Sequence, residues 1–188
     1  AQFILPIDRM FSVKGFGSVV TGTLLSGSIA SGDEVAIVPA VPGKPPVASV
    51  RVRSVEVFSE RVERAHAGDR TALSLQGVDL EQLARGQIVI VPGTARPTRV
   101  IDAHVEYLAS RDKPLKTGAK ALFHIGTGIV QVGLTLLDAD RLEPGASGYA
   151  RLRLAEPVAA LPGQRFILRG FEAITTVGRT IGGGRVLD

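Results

Sequence analysis

The chain has no cysteine, no tryptophan and a single methionine in 188 residues. Without cysteine there is no disulfide, no thiolate metal site and no cysteine nucleophile, a usage that fits a cytoplasmic protein. Aromatic residues are also scarce, seven Phe and two Tyr, too few for a single-strand nucleic-acid platform built on stacked rings. No apolar run reaches the length of roughly 18 residues that a membrane-spanning helix needs. The N-terminus lacks the basic-then-apolar pattern of a secretion signal, so a membrane partner is not expected. Charge is weakly biased, with 22 Lys and Arg against 18 Asp and Glu for a net +4. That leans only slightly towards an acidic partner, and any nucleic-acid contact should rest on phosphate neutralisation by Arg and Lys.

Catalytic and cofactor motifs are missing too. There is no GxxxxGK[ST] phosphate loop, and neither Lys14-Gly15-Phe16-Gly17 nor Gly182-Gly183-Gly184 precedes a helix whose N-terminus could receive a phosphate. Those glycines read as tight bends in β-structure. The three histidines, His66, His104 and His124, are far apart and lack metal-ligand spacing. No GxSxG elbow accompanies a serine, and the Asp138/Asp140 pair sits at a turn. The chain is expected to carry neither catalytic residues nor a metal site of its own.

What is present is β-structure. Hydrophobic residues at 45% suffice for a core, and β-branched runs alternate with Gly- and Pro-marked turns. Strands are predicted over 2–7, 17–25, 34–38, 47–58, 70–75 and 87–91. The stretch 39–46 is excluded from any strand by its prolines. A slip in the alternation of Val47–Phe58 predicts a bulge. Residues 78–85 read as a short helix with Asp79 as cap and Gly86 as terminator. Pro92–Thr98 reads as a connector, followed by strands over 99–108, 120–125, 129–138, 149–154 and 165–170, with a basic loop over 111–118. The expected fold is all-β, two consecutive β-barrel domains over 1–95 and 96–188.

The richest stretch is Ile7–Gly22, IDRMFSVKGFGSVVTG, where Asp8 and Arg9 adjoin a Gly-rich strand. Local sequence alone reads that pair as a solvated ion pair. Basic residues elsewhere, Arg51 and Arg53 on one strand face and Lys113, Lys116 and Lys120 around a loop, suit either a sugar-phosphate backbone or an ordinary solvated edge.

Asp8–Gly22, with its Phe, GxG and VVTG, resembles the start of the second domain of EF-Tu-like translational GTPases. Ile7-Asp8-Arg9, Lys14, the RVRSVEV strand and the AGDRTALSL strand are similar to the selenocysteine-specific elongation factors (SelB) within that group. Phe123-His124-Ile125-Gly126-Thr127 and the closing IGGGRVLD resemble their third domain. The resemblance spans the chain. It implies EF-Tu-like barrels, the first holding an aminoacyl pocket and the second touching the tRNA acceptor and T arms. It further implies that GTP and magnesium belong to a GTPase domain outside these residues, as do C-terminal winged-helix domains. The implied partners are selenocysteyl-tRNA, the ribosome and those other domains. By resemblance, selenocysteine is bound by Asp8, Arg9 and Arg70, and tRNA is contacted by Lys14, Arg51, Arg53, Lys113 and Lys116. The alternative is a docking or regulatory module of another translational GTPase without selenocysteine specificity.

Overall fold

The computed structural model describes residues 2–13, 17–171 and 179–188. They form two compact units, Ala1–Pro97 and Thr98–Asp188, both built of antiparallel strands. The protein is all-β, two β-barrel units in succession.

In the first unit the strands are β1 (Ile4–Pro6), β2 (Arg9–Val13), β3 (Gly17–Thr23), β4 (Ser28–Ala30), β5 (Glu34–Val38), β6 (Val47–Val57), β7 (Glu60–Val62), β8 (Arg64–His66), β9 (Arg70–Leu75) and β10 (Ile88–Ile90). The main sheet runs β1-β10-β5-β6-β9-β3-β2, with β7 paired to β6. Its two edges, β1 and β2, are consecutive in the chain, so the Ile7–Asp8 step joins one edge of the sheet to the other. Ile7 donates its N–H to the Gln87 carbonyl (2.9 Å), and Asp8 donates to the Thr21 carbonyl (2.9 Å). Within two residues the backbone passes from the β10 side to the β3 side. Gly22 makes room for the crossing, because a Cβ there would stand 2.1 Å from the Pro6 carbonyl oxygen. Leu5, Ile7, Val20, Val35, Val52, Leu73 and Val89 fill the interior.

The slip predicted in β6 is present. Ser54 and Val55 are both buried, and the register against β9 shifts between Val52 and Ser54, as a bulge requires. Residues 78–85 depart from expectation: instead of a helix they form a single 3-10 turn, Leu80–Gln82. The Gln82 side chain accepts the Asp79 N–H (3.0 Å), yet Leu83 is already extended. Val78 and Leu83 both pack into the barrel core, and residues five apart on an α-helix point about 140° away from each other. Burying both therefore unwinds the helix, and eight residues offer too few hydrogen bonds to resist.

The second unit comprises β11 (Thr98–Tyr107), β12 (Leu115–Lys116), β13 (Lys120–Ile125), β14 (Gly128–Leu136), β15 (Arg141–Leu142), β16 (Ser147–Val158), β17 (Arg165–Arg169) and β18 (Thr180–Val186). It closes as a barrel in the order β11-β16-β14-β13-β17-β18, with β18 returning to β11. Phe123 and Phe166 meet at its centre, ring centroids 4.9 Å apart. The stretch expected as a basic loop, 111–118, contains β12, paired to β15. Gly182–Gly184 do not form a bend; they run through the middle of β18. A Cβ at Gly184 would lie 1.9 Å from the His104 carbonyl oxygen, so the glycines let β18 pass tightly between β11 and β17.

Gly22→Ala is expected to lower stability in urea by about 2 kcal/mol or more, because the clash is with backbone and cannot relax by a rotamer change. Gly133→Ala, where an added Cβ meets nothing within 4 Å, should change it little.

Candidate functional site

The crossing that joins the two edges of the first sheet also places Asp8. Its backbone is held by Thr21 on β3, and its side chain lies among groups from three parts of the chain. Oδ1 accepts hydrogen bonds from Thr21 Oγ1 (2.9 Å) and Arg70 Nη2 (2.9 Å), and Oδ2 accepts one from Arg70 Nη1. Arg70 Nη2 also reaches Thr21 Oγ1 at 3.4 Å. The carboxylate is thus gripped by both terminal guanidinium nitrogens, the geometry in which such pairs are strongest.

Arg70 is brought there by the turn that precedes it. Gly68 takes a positive φ of 98° and donates its N–H to the Leu24 carbonyl (2.8 Å). Asp69 Oδ2 accepts the His66 N–H (2.7 Å), a local turn bond of the kind Asp favours. Strand β9 then starts with Arg70 opposite Thr23, while Ala72 stands opposite Thr21. Arg9, exposed at the start of β2, is paired across from Thr21, so the two side chains share the outer face of the sheet.

The Arg70 hydrogen bonds hold the Asp8 carboxyl below the usual carboxylate range, against the opposing effect of partial burial. The Thr21 hydroxyl and the charges of Arg70 and Arg9 push the same way. Asp8 in turn raises the Arg70 pKa. The cluster remains accessible, with side-chain exposures of 25% for Asp8 and 40% for Arg70. One carboxylate against two guanidiniums leaves a net positive patch where the chain crosses between the sheet edges.

Asp8 and Arg70, 62 residues apart, are therefore in direct contact, and Arg9 lies on the adjoining strand position. The sequence suggested Asp8 and Arg9 as the local pair, but the carboxylate turns to Arg70. Thr21 was missed as a member of the cluster. Its signal was parity, since a polar β-branched residue at 21 falls on the same face of β3 as the exposed Thr23. Lys14 lies outside the described residues. Arg51 and Arg53 sit exposed on β6, where Arg51 faces Glu34 and Val52 faces Leu75. That is the opposite end of β9 from Arg70, about 17 Å along the strand at roughly 3.4 Å per residue. In the second unit, Lys113 accepts the Tyr107 hydroxyl on its carbonyl (2.8 Å), and Lys116 is exposed on β12 opposite Arg141. Among the described residues, no three His, Asp or Glu side chains group so as to hold a metal ion, and no helix is long and apolar enough to cross a membrane.

The architecture is a succession of two antiparallel β-barrel units, the first carrying a charged cluster on its outer face. Residues 17–90 match the family model for elongation factor Tu domain 2. Over 99% of its length the chain is 37% identical to a selenocysteine-specific elongation factor of Desulfomicrobium baculatum, of which it covers 28%. It is also 35% identical over 99% of its length to elongation factor Tu 2 of Streptomyces avermitilis, covering 46% of that protein. Along nearly its whole length the chain is similar to EF-Tu-like translation elongation factors, and it spans less than half the length of either relative.

A carboxylate whose pKa is depressed in the folded state adds stability above its unfolded pKa and loses it as pH falls through the folded value. Asp8→Asn should therefore cost on the order of 1 kcal/mol near pH 7, for a charged hydrogen-bonded pair that is partly screened. The gap from the unsubstituted protein should narrow as pH falls below 4, read from urea unfolding across pH 2–7.

Proposed function

We propose that this chain is the selenocysteyl-tRNA-binding part of a selenocysteine-specific elongation factor, with Asp8, Arg9 and Arg70 receiving the selenocysteine side chain. The observation that carries the proposal is the two-pronged Asp8–Arg70 pair, braced by Thr21 and flanked by Arg9. The similarity to the Desulfomicrobium baculatum factor over 99% of the chain supports it.

The chemistry is discrimination by charge. A selenol is more acidic than a thiol or an alcohol, so selenocysteine is largely anionic near neutral pH whereas serine is neutral. Two unit charges 4 Å apart interact by about 1 kcal/mol in water and about 4 kcal/mol at an effective dielectric of 20. The larger value approaches a thousandfold preference, and the smaller one less than tenfold. Asp8 fixes the plane of the Arg70 guanidinium and cancels part of its charge, which keeps the patch from holding any passing anion. Arg9, unbound to the carboxylate by any short contact, supplies the remaining positive charge.

Within the whole protein, this segment works beside a GTPase domain that binds GTP and magnesium and beside C-terminal winged-helix domains. The assembly delivers the tRNA to the ribosome in the cytoplasm at recoded UGA codons. The chain's own role is binding, not hydrolysis. Arg51, Arg53, Lys113 and Lys116 are candidate contacts to the tRNA backbone, as is Lys14. A second reading follows from the nearly equal identity to elongation factor Tu 2: the barrels serve a factor without selenocysteine specificity.

Affinity for selenocysteyl-tRNA and seryl-tRNA on the same tRNA body, in the full-length gene product with GTP, separates the two. Arg70→Ala is expected to cut the selenocysteyl preference at least tenfold, the loss of about 1.4 kcal/mol or more, while leaving seryl-tRNA affinity nearly unchanged. No preference in the unsubstituted protein would favour the second reading.

A further inference from the structure

The hairpin between β6 and β7 turns through Phe58 and Ser59, both in the left-handed region with φ of 50° and 68°. Two-residue turns of this kind favour Asn and Gly, and a bulky aromatic is a poor choice there. Phe58 is also 77% exposed, the highest value among the exposed large apolar side chains of the described residues. Neither the turn nor the solvent explains it.

Its position does. The register of β6 on β9 runs Glu56 opposite Ala72 and Val57 opposite Thr71. The next step brings Phe58 beside Arg70, and the Phe58 N–H donates to the Arg70 carbonyl (3.4 Å). An unfavourable backbone and an exposed ring thus coincide at the residue whose backbone bonds to Arg70, one strand over from the side on which the Arg70 guanidinium meets Thr21 and Asp8. A residue that breaks local rules beside a binding site points to function.

We propose that Phe58 is a specificity-determining residue of this site, an apolar wall that excludes water from the selenocysteine side chain and the guanidiniums once aminoacyl-tRNA is bound. The inference rests on the selenocysteine reading of the cluster given above. As it stands, the cluster is open to solvent, and a water-screened ion pair distinguishes a charged side chain from a neutral one only weakly. The ring removes that screening without competing for the anion, because it carries no hydrogen-bonding atoms. The same cover gives no help to a seryl hydroxyl, which needs a hydrogen-bond partner when water is removed.

Phe58→Asn separates this role from folding, since Asn tolerates the left-handed turn while the ring is lost. Binding of selenocysteyl-tRNA and seryl-tRNA would be measured in the full-length gene product with GTP, at low and at physiological salt, with Arg70→Ala alongside. Phe58→Asn should lower the selenocysteyl preference about tenfold through weaker selenocysteyl binding, and make the remainder more salt-sensitive. Its melting temperature should hold or rise. If Phe58→Asn keeps the preference while Arg70→Ala destroys it, the anion site stands and the role of Phe58 is overturned. If neither substitution changes the preference, the site reading fails and this inference fails with it. Equal weakening of both tRNAs by Phe58→Asn would assign the ring to the shared nucleotide portion and contradict the proposal.

Discussion

Pro6, Ile7 and Asp8 carry the chain from one edge of the first sheet to the other, and the close approach of Pro6 to Gly22 is what allows it. The two edges of the sheet, β1 and β2, are thereby tied together through a single continuous stretch of chain. The same step leaves Asp8 with backbone and side chain both tied to β3, through the carbonyl and the hydroxyl of Thr21. The Gly68 turn delivers Arg70 to the other side of the carboxylate. The charged cluster is consequently built on strand ends that the barrel core holds rigid, the arrangement a binding site needs to keep its geometry.

That rigidity matters to the proposed selenolate recognition, whose margin is narrow because charge is the main difference between a selenolate and a hydroxyl and water dilutes charge. On that reading the pair of guanidiniums supplies the attraction, Asp8 directs it, and the degree of desolvation sets its size.

Much of the fold could be read from the residues. Alternation in Val47–Phe58 announced the strand and its bulge, and the prolines of 39–46 announced the loop. The helix over 78–85 could not be judged locally, because what unwinds it is the burial of both Val78 and Leu83 in a core assembled from distant strands. The glycines show the same limit. Gly22 and Gly184 advertise close approach, but the partners, Pro6 and His104, emerge only from the topology. In the site, Asp8 and Arg9 attracted notice by adjacency, whereas the bonded partner lies 62 residues on. Arg70 carries no local mark beyond an AGD turn, and family resemblance was what brought it forward. Thr21 was hidden in a motif that looked purely structural.

Recognition of a selenolate by guanidinium charge is tested most directly by the pH dependence of affinity. Binding of selenocysteyl-tRNA to the full-length gene product with GTP would be followed from neutral to mildly acidic pH, with seryl-tRNA on the same tRNA body as control. Affinity for selenocysteyl-tRNA should fall as the selenol takes up its proton, while that for seryl-tRNA changes only as the protein itself does. Parallel profiles for the two tRNAs would contradict charge-based recognition at Asp8, Arg9 and Arg70.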